Sequence, residues 1–106
     1  MLYTVKNMDD YHNKLVVSDG KLVVVYFHTS WSGPCRRLEP KLIDISRLWD
    51  NVVFLKVDVG ECVDIASENK IPPGMPSVVF IRRSKPISAL FGAKVDEVRQ
   101  IVNNFT

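Results

Sequence analysis

The apolar run from Leu22 to Phe27 is the feature that most constrains the fold of this chain. Its residues, LVVVYF, show no alternation of apolar and polar side chains. That pattern is typical of a strand covered on both faces, and hence of a central strand in a parallel sheet. A second run of this kind extends from Val52 to Val57. Because parallel neighbours need long crossover connections, usually helices, the two runs predict helices packed on both faces of a sheet.

The rest of the chain supplies those helices and further strands. Amphipathic periodicity predicts helices over about residues 8–18, 34–49, 61–68 and 95–105, with Pro40 inside the second. Shorter apolar segments predict strands over residues 2–6, 77–81 and 87–91, the last two forming an antiparallel hairpin. The predicted order is β-α-β-α-β-α-β-β-α, which gives an α/β fold with a mixed sheet.

Length, charge and cysteine content narrow the class of protein. The chain of 106 residues is predicted to form one domain, residues 1–106. A formal charge of +2 does not favour nucleic acid as a partner, and no apolar run is long enough to span a membrane. Cys35 and Cys62 cannot form a secreted disulfide framework, so a cytoplasmic location is predicted. The cysteines and histidines lack chelating spacing, so neither a metal nor another cofactor is expected.

Several motifs together carry a family resemblance. The pentapeptide WSGPC, Trp31 to Cys35, follows the segment KLVVVYF. After the pentapeptide come FLKVDV, ECVDIASE, the step Met75-Pro76 and FGA at residues 91–93, in that order. In these motifs the chain resembles the thioredoxin family over its whole length, and in particular the animal cytosolic members, including insect forms. The resemblance implies the thioredoxin fold, with three parallel-type strands, a C-terminal antiparallel hairpin and four flanking helices.

The resemblance also implies a reaction, thiol-disulfide exchange on protein disulfides. The first cysteine of the loop is the nucleophile in the family, because a helix N-terminus lowers a thiol pKa. Here that position holds Ser32, while Cys35 matches the resolving thiol that releases the reduced substrate. Gly33 and Pro34 are expected to shape the turn, and Trp31 to lie over the rim of the site.

A substrate groove beside the loop is implied in the same way. In the family the proline matching Pro76 is cis and holds the backbone of Met75 where a substrate strand pairs with it, while Gly92 leaves room for that strand. The implied partners are disulfide-bearing or extended-peptide protein clients, and thioredoxin reductase if the chain is active.

Two departures from the family pattern affect the chemistry. A serine hydroxyl is barely ionised near neutral pH and cannot exchange a disulfide, although Ser32 is a good helix N-cap. Tyr26 stands where the family has a buried aspartate that manages the proton of the resolving thiol, and tyrosine is a poor proton acceptor. We therefore expect disulfide exchange to be absent or strongly impaired. The segment Pro72-Pro73-Gly74 also adds one residue before Met75.

Alternatives to a naturally divergent protein remain open from the sequence. The chain could be an active protein-disulfide reductase with an engineered serine at position 32. It could also be a monothiol redox sensor or peptide-binding protein that uses Cys35 and the Met75-Pro76 groove, a hypothesis that requires Cys35 to be accessible. His28 could serve as a base for Cys35 but is interpreted as a strand-end residue, and Cys62 as a small buried hydrophobic residue.

Overall fold

Helices and strands follow the predicted order in the computed structural model, which describes residues 1–92 and 94–106. Ala93, the last residue of the FGA motif, lies outside the described residues. The elements are β1 Leu2–Thr4, α1 Met8–Val17, β2 Val23–His28, α2 Gly33–Ser46, β3 Val53–Asp58, α3 Val63–Glu68, β4 Ser77–Arg82, β5 Lys85–Phe91 and α4 Val95–Phe105.

The sheet has the strand order β1-β3-β2-β4-β5. Strand β3 pairs in parallel with both β1 and β2, whereas β4 pairs antiparallel with β2 and β5. The prediction that Leu22 to Phe27 contributes a central strand is therefore confirmed, since β2 lies in the middle of the sheet. The mixed sheet with a C-terminal antiparallel hairpin is also the arrangement that the family resemblance implies.

Each face of the sheet buries its own hydrophobic cluster. One cluster joins α2 and α4 to the side chains of one strand face, and it includes Tyr26, Cys35 and Leu38. The other joins α1 and α3 to the opposite face, and it includes Tyr11 and Cys62. Because successive strand residues point to opposite faces, the apolar run of β2 can fill both clusters at once.

Helix α2 ends earlier than the sequence predicts. Its last helical residue is Ser46, although the apolar periodicity continues to Trp49. Beyond Ser46 the backbone tightens, since the Leu48 N–H donates to the Ile45 carbonyl three residues back. Trp49 still packs against the first cluster from this turn, so the pattern correctly indicated burial but not helix.

In the part of the chain that the structure describes, no helix combines the length and apolar character needed to cross a membrane.

Candidate functional site

The WSGPC loop joins the end of β2 to the start of α2. Ser32 is the N-cap residue of α2, with an extended backbone (φ −85°, ψ 122°), and its Oγ accepts a hydrogen bond from the Cys35 N–H at 3.3 Å. Pro34 occupies the first helical turn, where its missing N–H costs nothing. The predicted N-cap role of Ser32 is confirmed. The residue is 7% exposed, and its hydroxyl satisfies a backbone donor of the helix start.

Trp31 is the most prominent exposed side chain of the loop, with 68% of its surface accessible. Its ring lies beside Gly60 in the β3–α3 connection, where an added Cβ would come within 3.7 Å of the Trp31 Cζ3 atom. That connection is held by Asp58, whose Oδ1 accepts from the Gly60 N–H at 2.8 Å. The indole therefore lies beside Gly60 and is otherwise largely open to solvent.

Cys35 lies one turn into α2 on the inner side of the helix. It is a free thiol, 2% exposed, and belongs to the hydrophobic cluster between α2 and the sheet. Cys35 also lines a cleft of about 410 Å³ behind the start of α2. Ser32 and Cys35 are thus brought together as the sequence predicts, but the thiol faces the interior rather than the exposed side of the loop.

Tyr26 lies on β2 directly beneath Cys35. The Tyr26 hydroxyl donates to the Cys35 carbonyl at 2.8 Å, and the ring, 1% exposed, stacks on His28 with centroids 5.3 Å apart. Burial raises the pKa of Tyr26 far above its ordinary value, and the neighbouring Cys35 raises it further. Tyr26 is therefore a neutral hydrogen-bond donor packed in the core.

The cleft contains charged residues that the sequence analysis did not identify. Glu39 and Lys56 form an ion pair at 2.8 Å, each about a quarter exposed, and Arg36 and Thr29 line the same space. The Thr29 hydroxyl is buried and has no hydrogen-bond partner among the described residues. Two signals could have found the ion pair. Glu39 follows Cys35 by one helical turn, and Lys56 is the β3 neighbour of Tyr26 in the sheet.

His28 completes the wall of this cleft at the end of β2. Burial lowers the pKa of His28, the positive charge of Lys56 lowers it further, and the carboxylates of Asp58 and Glu39 act in the opposite direction. Its backbone carbonyl accepts from the Val59 N–H at 3.0 Å, so the residue is fixed at the strand end. The strand-end position that the sequence predicts is confirmed.

Met75, Pro76 and Gly92, the residues of the groove that the resemblance implies, lie together where β4 begins and β5 ends. Met75 is 41% exposed, Pro76 is buried, and the Gly92 N–H donates to the Pro76 carbonyl at 2.7 Å. Gly92 has φ +100°, which strains other residues. An added Cβ there would meet only Lys94 Cε, at 4.0 Å. The space beside Gly92 is therefore open.

The expected cis bond before Pro76 is wrong, because residues 1–92 and 94–106 contain no cis peptide bond. Gly74, two residues before Pro76, has φ +83° and lies in a turn. The Met75–Pro76 bond is trans, the form that X–Pro bonds favour intrinsically by about 0.5–1 kcal/mol.

Cys62 lies on the opposite face of the sheet from Cys35. Its thiol is buried and donates weakly to the Lys6 carbonyl at 3.8 Å. Burial raises the pKa of the Cys62 thiol, and the carboxylates of Asp64 and Glu61 raise it further. Cys62 thus behaves as a small buried hydrophobic residue, as predicted. Within the described ranges, no three acidic, histidine or cysteine residues cluster as metal ligands would.

Comparisons with known proteins agree with this architecture. The family model described as Thioredoxin matches residues 3–104. A thioredoxin of Callithrix jacchus is 33% identical over 105 residues, covering 99% of both chains. Thioredoxin-T of Drosophila melanogaster is 36% identical over 103 residues, covering 96% of this chain and 65% of that protein.

Solved structures support the same assignment. The X-ray structure of Fasciola hepatica thioredoxin superposes with a TM-score of 0.94 at 28% identity, covering 98% of this chain and 99% of that one. The crystal structure of the germline-specific thioredoxin Deadhead of Drosophila gives a TM-score of 0.90 at 28% identity, covering 97% and 98%. Sequence, fold and the placement of the WSGPC loop agree, and the chain belongs to the thioredoxin family.

Proposed function

We propose that this chain binds disulfide-bearing or extended protein segments as a thioredoxin-family protein but does not complete the exchange cycle. Thiol-disulfide exchange on protein disulfides is the general activity of the family. The observation that carries the proposal is Ser32, whose oxygen caps α2 at the position of the attacking sulfur.

The cycle requires two sulfur atoms in sequence. A thiolate attacks one sulfur of the substrate disulfide, forms a mixed disulfide and expels a substrate thiolate. The second thiol then attacks the mixed disulfide, forms the enzyme disulfide and expels the other substrate thiolate. With Ser32 in the first position no mixed disulfide forms there, so Cys35 has nothing to resolve. Tyr26, which donates to the Cys35 carbonyl, is also unsuited to accept the Cys35 proton.

Features of the exposed side of the loop support retained binding. Trp31 and Met75 are both exposed beside the loop, and aromatic and methionine side chains are enriched in protein interfaces. The open space at Gly92 leaves room for an approaching backbone. None of these groups needs the sulfur that is missing at position 32. We place the protein in the cytoplasm, since both of its cysteines are free thiols.

A turnover assay tests the chemical part of the proposal. We expect the chain, supplied with dithiothreitol or with thioredoxin reductase and its reductant, to reduce a protein disulfide no faster than the uncatalysed rate. Ser32→Ala is the matched control, because it also lacks the sulfur and should behave identically. A catalytic rate from the unaltered chain that Cys35→Ser abolishes would contradict the proposal.

A binding titration tests the other part. An extended peptide with one S-methylated cysteine is titrated while the amide resonances of Met75 and Gly92 are followed by NMR. We expect saturable shifts at both residues and none at residues of α1. Shifts that are absent, or that are spread evenly over the surface, would show that the groove does not bind such segments.

An active reductase carrying an engineered Ser32 is the second candidate function. The observation that favours it is the local geometry, since Ser32 and Cys35 sit at the helix start as an active pair would. Ser32→Cys decides between the two. Rapid turnover favours the engineered protein, and slow turnover favours divergence that includes Tyr26. The monothiol sensor is the least supported alternative, because Cys35 is 2% exposed.

A further inference from the structure

Strand β5 forms one edge of the sheet, and among residues 1–92 and 94–106 its sole strand partner is β4. The Gly92 N–H donates to the Pro76 carbonyl, which fixes the hydrogen-bonding alternation along the antiparallel ladder. Leu90 and Ser88, at steps of two from Gly92, direct their backbone groups towards β4. Ala89 and Phe91 therefore direct their N–H and carbonyl groups away from the sheet.

The two halves of this edge differ in their protection. The first half contains Lys85 and Pro86, and its pairing register shifts opposite Phe80 and Ile81. Charge, proline and bulges are the devices with which natural proteins prevent a free edge from pairing. The second half, Ser88 to Gly92, carries no charged residue, no proline and no bulge. Its backbone groups are therefore available to another strand.

The side chains of the second half are apolar on both faces. Ala89 and Phe91 are exposed on one face of the sheet, Phe91 to 45%. Leu90 lies on the other face, opposite Val78, and is only partly buried against the α2–α4 cluster. A strand added here would cover apolar surface on both faces as well as satisfy the backbone.

We infer that a second copy of the chain pairs with this edge, β5 against β5, around a two-fold axis beside Leu90. In this antiparallel register Ala89 lies opposite the partner's Phe91, and each of these two symmetric pairs exchanges both backbone hydrogen bonds. The small Ala89 accommodates the partner's aromatic ring. Leu90 faces the partner's Leu90 on the opposite side of the sheet.

The edge fits a second copy because it is self-complementary. Its outward-directed residues are two positions apart, so an antiparallel copy aligns every free donor with a free acceptor. No like charges oppose each other within the paired segment, and the register leaves Lys85 and Pro86 outside it. The contact involves one short strand, so it falls in the small class of interfaces that form reversible, concentration-dependent dimers.

Sedimentation velocity over protein concentrations from about 5 to about 500 µM tests the inference, a range that brackets weak association. We expect the weight-average sedimentation coefficient to rise reversibly from that of a monomer towards that of a dimer. Ala89→Pro removes an outward N–H and no bond within the chain, so it should abolish the rise. Ala89→Ser keeps the N–H and the size, and should dimerise like the parent.

A second variant distinguishes a loss of strand pairing from a loss of folding. Ala89→Lys keeps every backbone group but places a charge opposite the partner's Phe91, and should weaken dimerisation by roughly tenfold or more. Circular dichroism melting of both variants checks that the fold is intact. A parent chain that stays monomeric at the highest concentration overturns the inference. A dimer that Ala89→Pro leaves intact but Trp31→Ala dissolves also overturns it, since that dimer uses the loop face.

Discussion

The outer and inner sides of the start of α2 differ in whether their groups are exposed or already bonded within the protein. On the outer side, Trp31 of the loop is exposed, as is Met75 ahead of β4, and the space beside Gly92 is open. On the inner side, Ser32 caps the helix and Tyr26 bonds to the Cys35 carbonyl, so two groups that would carry chemistry have structural partners instead. Binding depends on surface and backbone, whereas exchange depends on particular sulfur and oxygen atoms. The second can be lost without the first.

The largest effect that we predict concerns the proton of Cys35. In a Ser32→Cys background, replacing Tyr26 with Asp should accelerate release of a bound thiol from the mixed disulfide by roughly 10²-fold, the lower range for general base catalysis. Stopped-flow release of a chromogenic thiol measures the step. Tyr26→Asn in the same background is the matched control, because it has the shape of aspartate without its basicity. Equal rates for the Asp and Asn variants would show that the inner side does not limit exchange.

Removing the exposed indole should affect binding alone. Trp31→Ala is expected to weaken peptide binding by roughly tenfold or more, as truncation of an interface tryptophan commonly does. The melting temperature should stay unchanged, because the side chain is largely exposed. Isothermal titration with the S-methylated peptide measures the affinity, and Val17→Ala, another exposed apolar side chain, is the control. Unchanged affinity would show that the exposed Trp31 does not contribute to the proposed peptide binding.

Removing one hydroxyl should affect stability alone. Tyr26→Phe deletes the hydrogen bond to the Cys35 carbonyl and should lower the free energy of unfolding by about 1 kcal/mol. Urea unfolding measures the change. Tyr3→Phe is the control, since Tyr3 is half exposed and should give no measurable loss. A Tyr26→Phe variant as stable as the parent would mean that the hydroxyl does not hold α2 to β2.

The smallest effect concerns pH. The pKa of His28 is lowered in the folded protein, so below the ordinary value of 6.5 the unfolded chain binds a proton that the folded chain does not. The contribution of His28 to stability is therefore complete above pH 6.5 and declines as pH falls from there through the folded pKa. Urea midpoints between about pH 5 and pH 7.5 measure the slope. His28→Gln should flatten it, and an unchanged slope would assign the dependence to other groups.

The fold was predictable because burial pattern and topology are linked. Runs without alternation, at Leu22 to Phe27 and Val52 to Val57, are typical of strands covered on both faces, and crossover rules then place helices on both sides of the sheet. The early end of α2 was not predictable, since Trp49 is buried whether it lies in a helix or in a turn. At the end of a helix, periodicity reports which side chains face the core but not where the helical backbone stops.

The candidate site was predictable in its loop and less so in its surroundings. WSGPC located Ser32 and Cys35 at a helix start, because proline and glycine positions are local signals. The cis bond before Pro76 is expected only from the family resemblance and is absent from the described residues, because the local sequence does not fix the isomer of an X–Pro bond. The Glu39–Lys56 pair joins a helix to a strand, so it appears only once helical period and sheet register are combined.

The bond from the Tyr26 hydroxyl to the Cys35 carbonyl also has a dynamic consequence. The first turn of a helix ordinarily frays on its own, so its amides exchange with solvent through small local openings. Here that turn is fastened to the central strand of the sheet, and it cannot open without breaking the bond from the buried Tyr26 hydroxyl and exposing Cys35. Amide exchange at the start of α2 should therefore follow the slow, cooperative opening of the core.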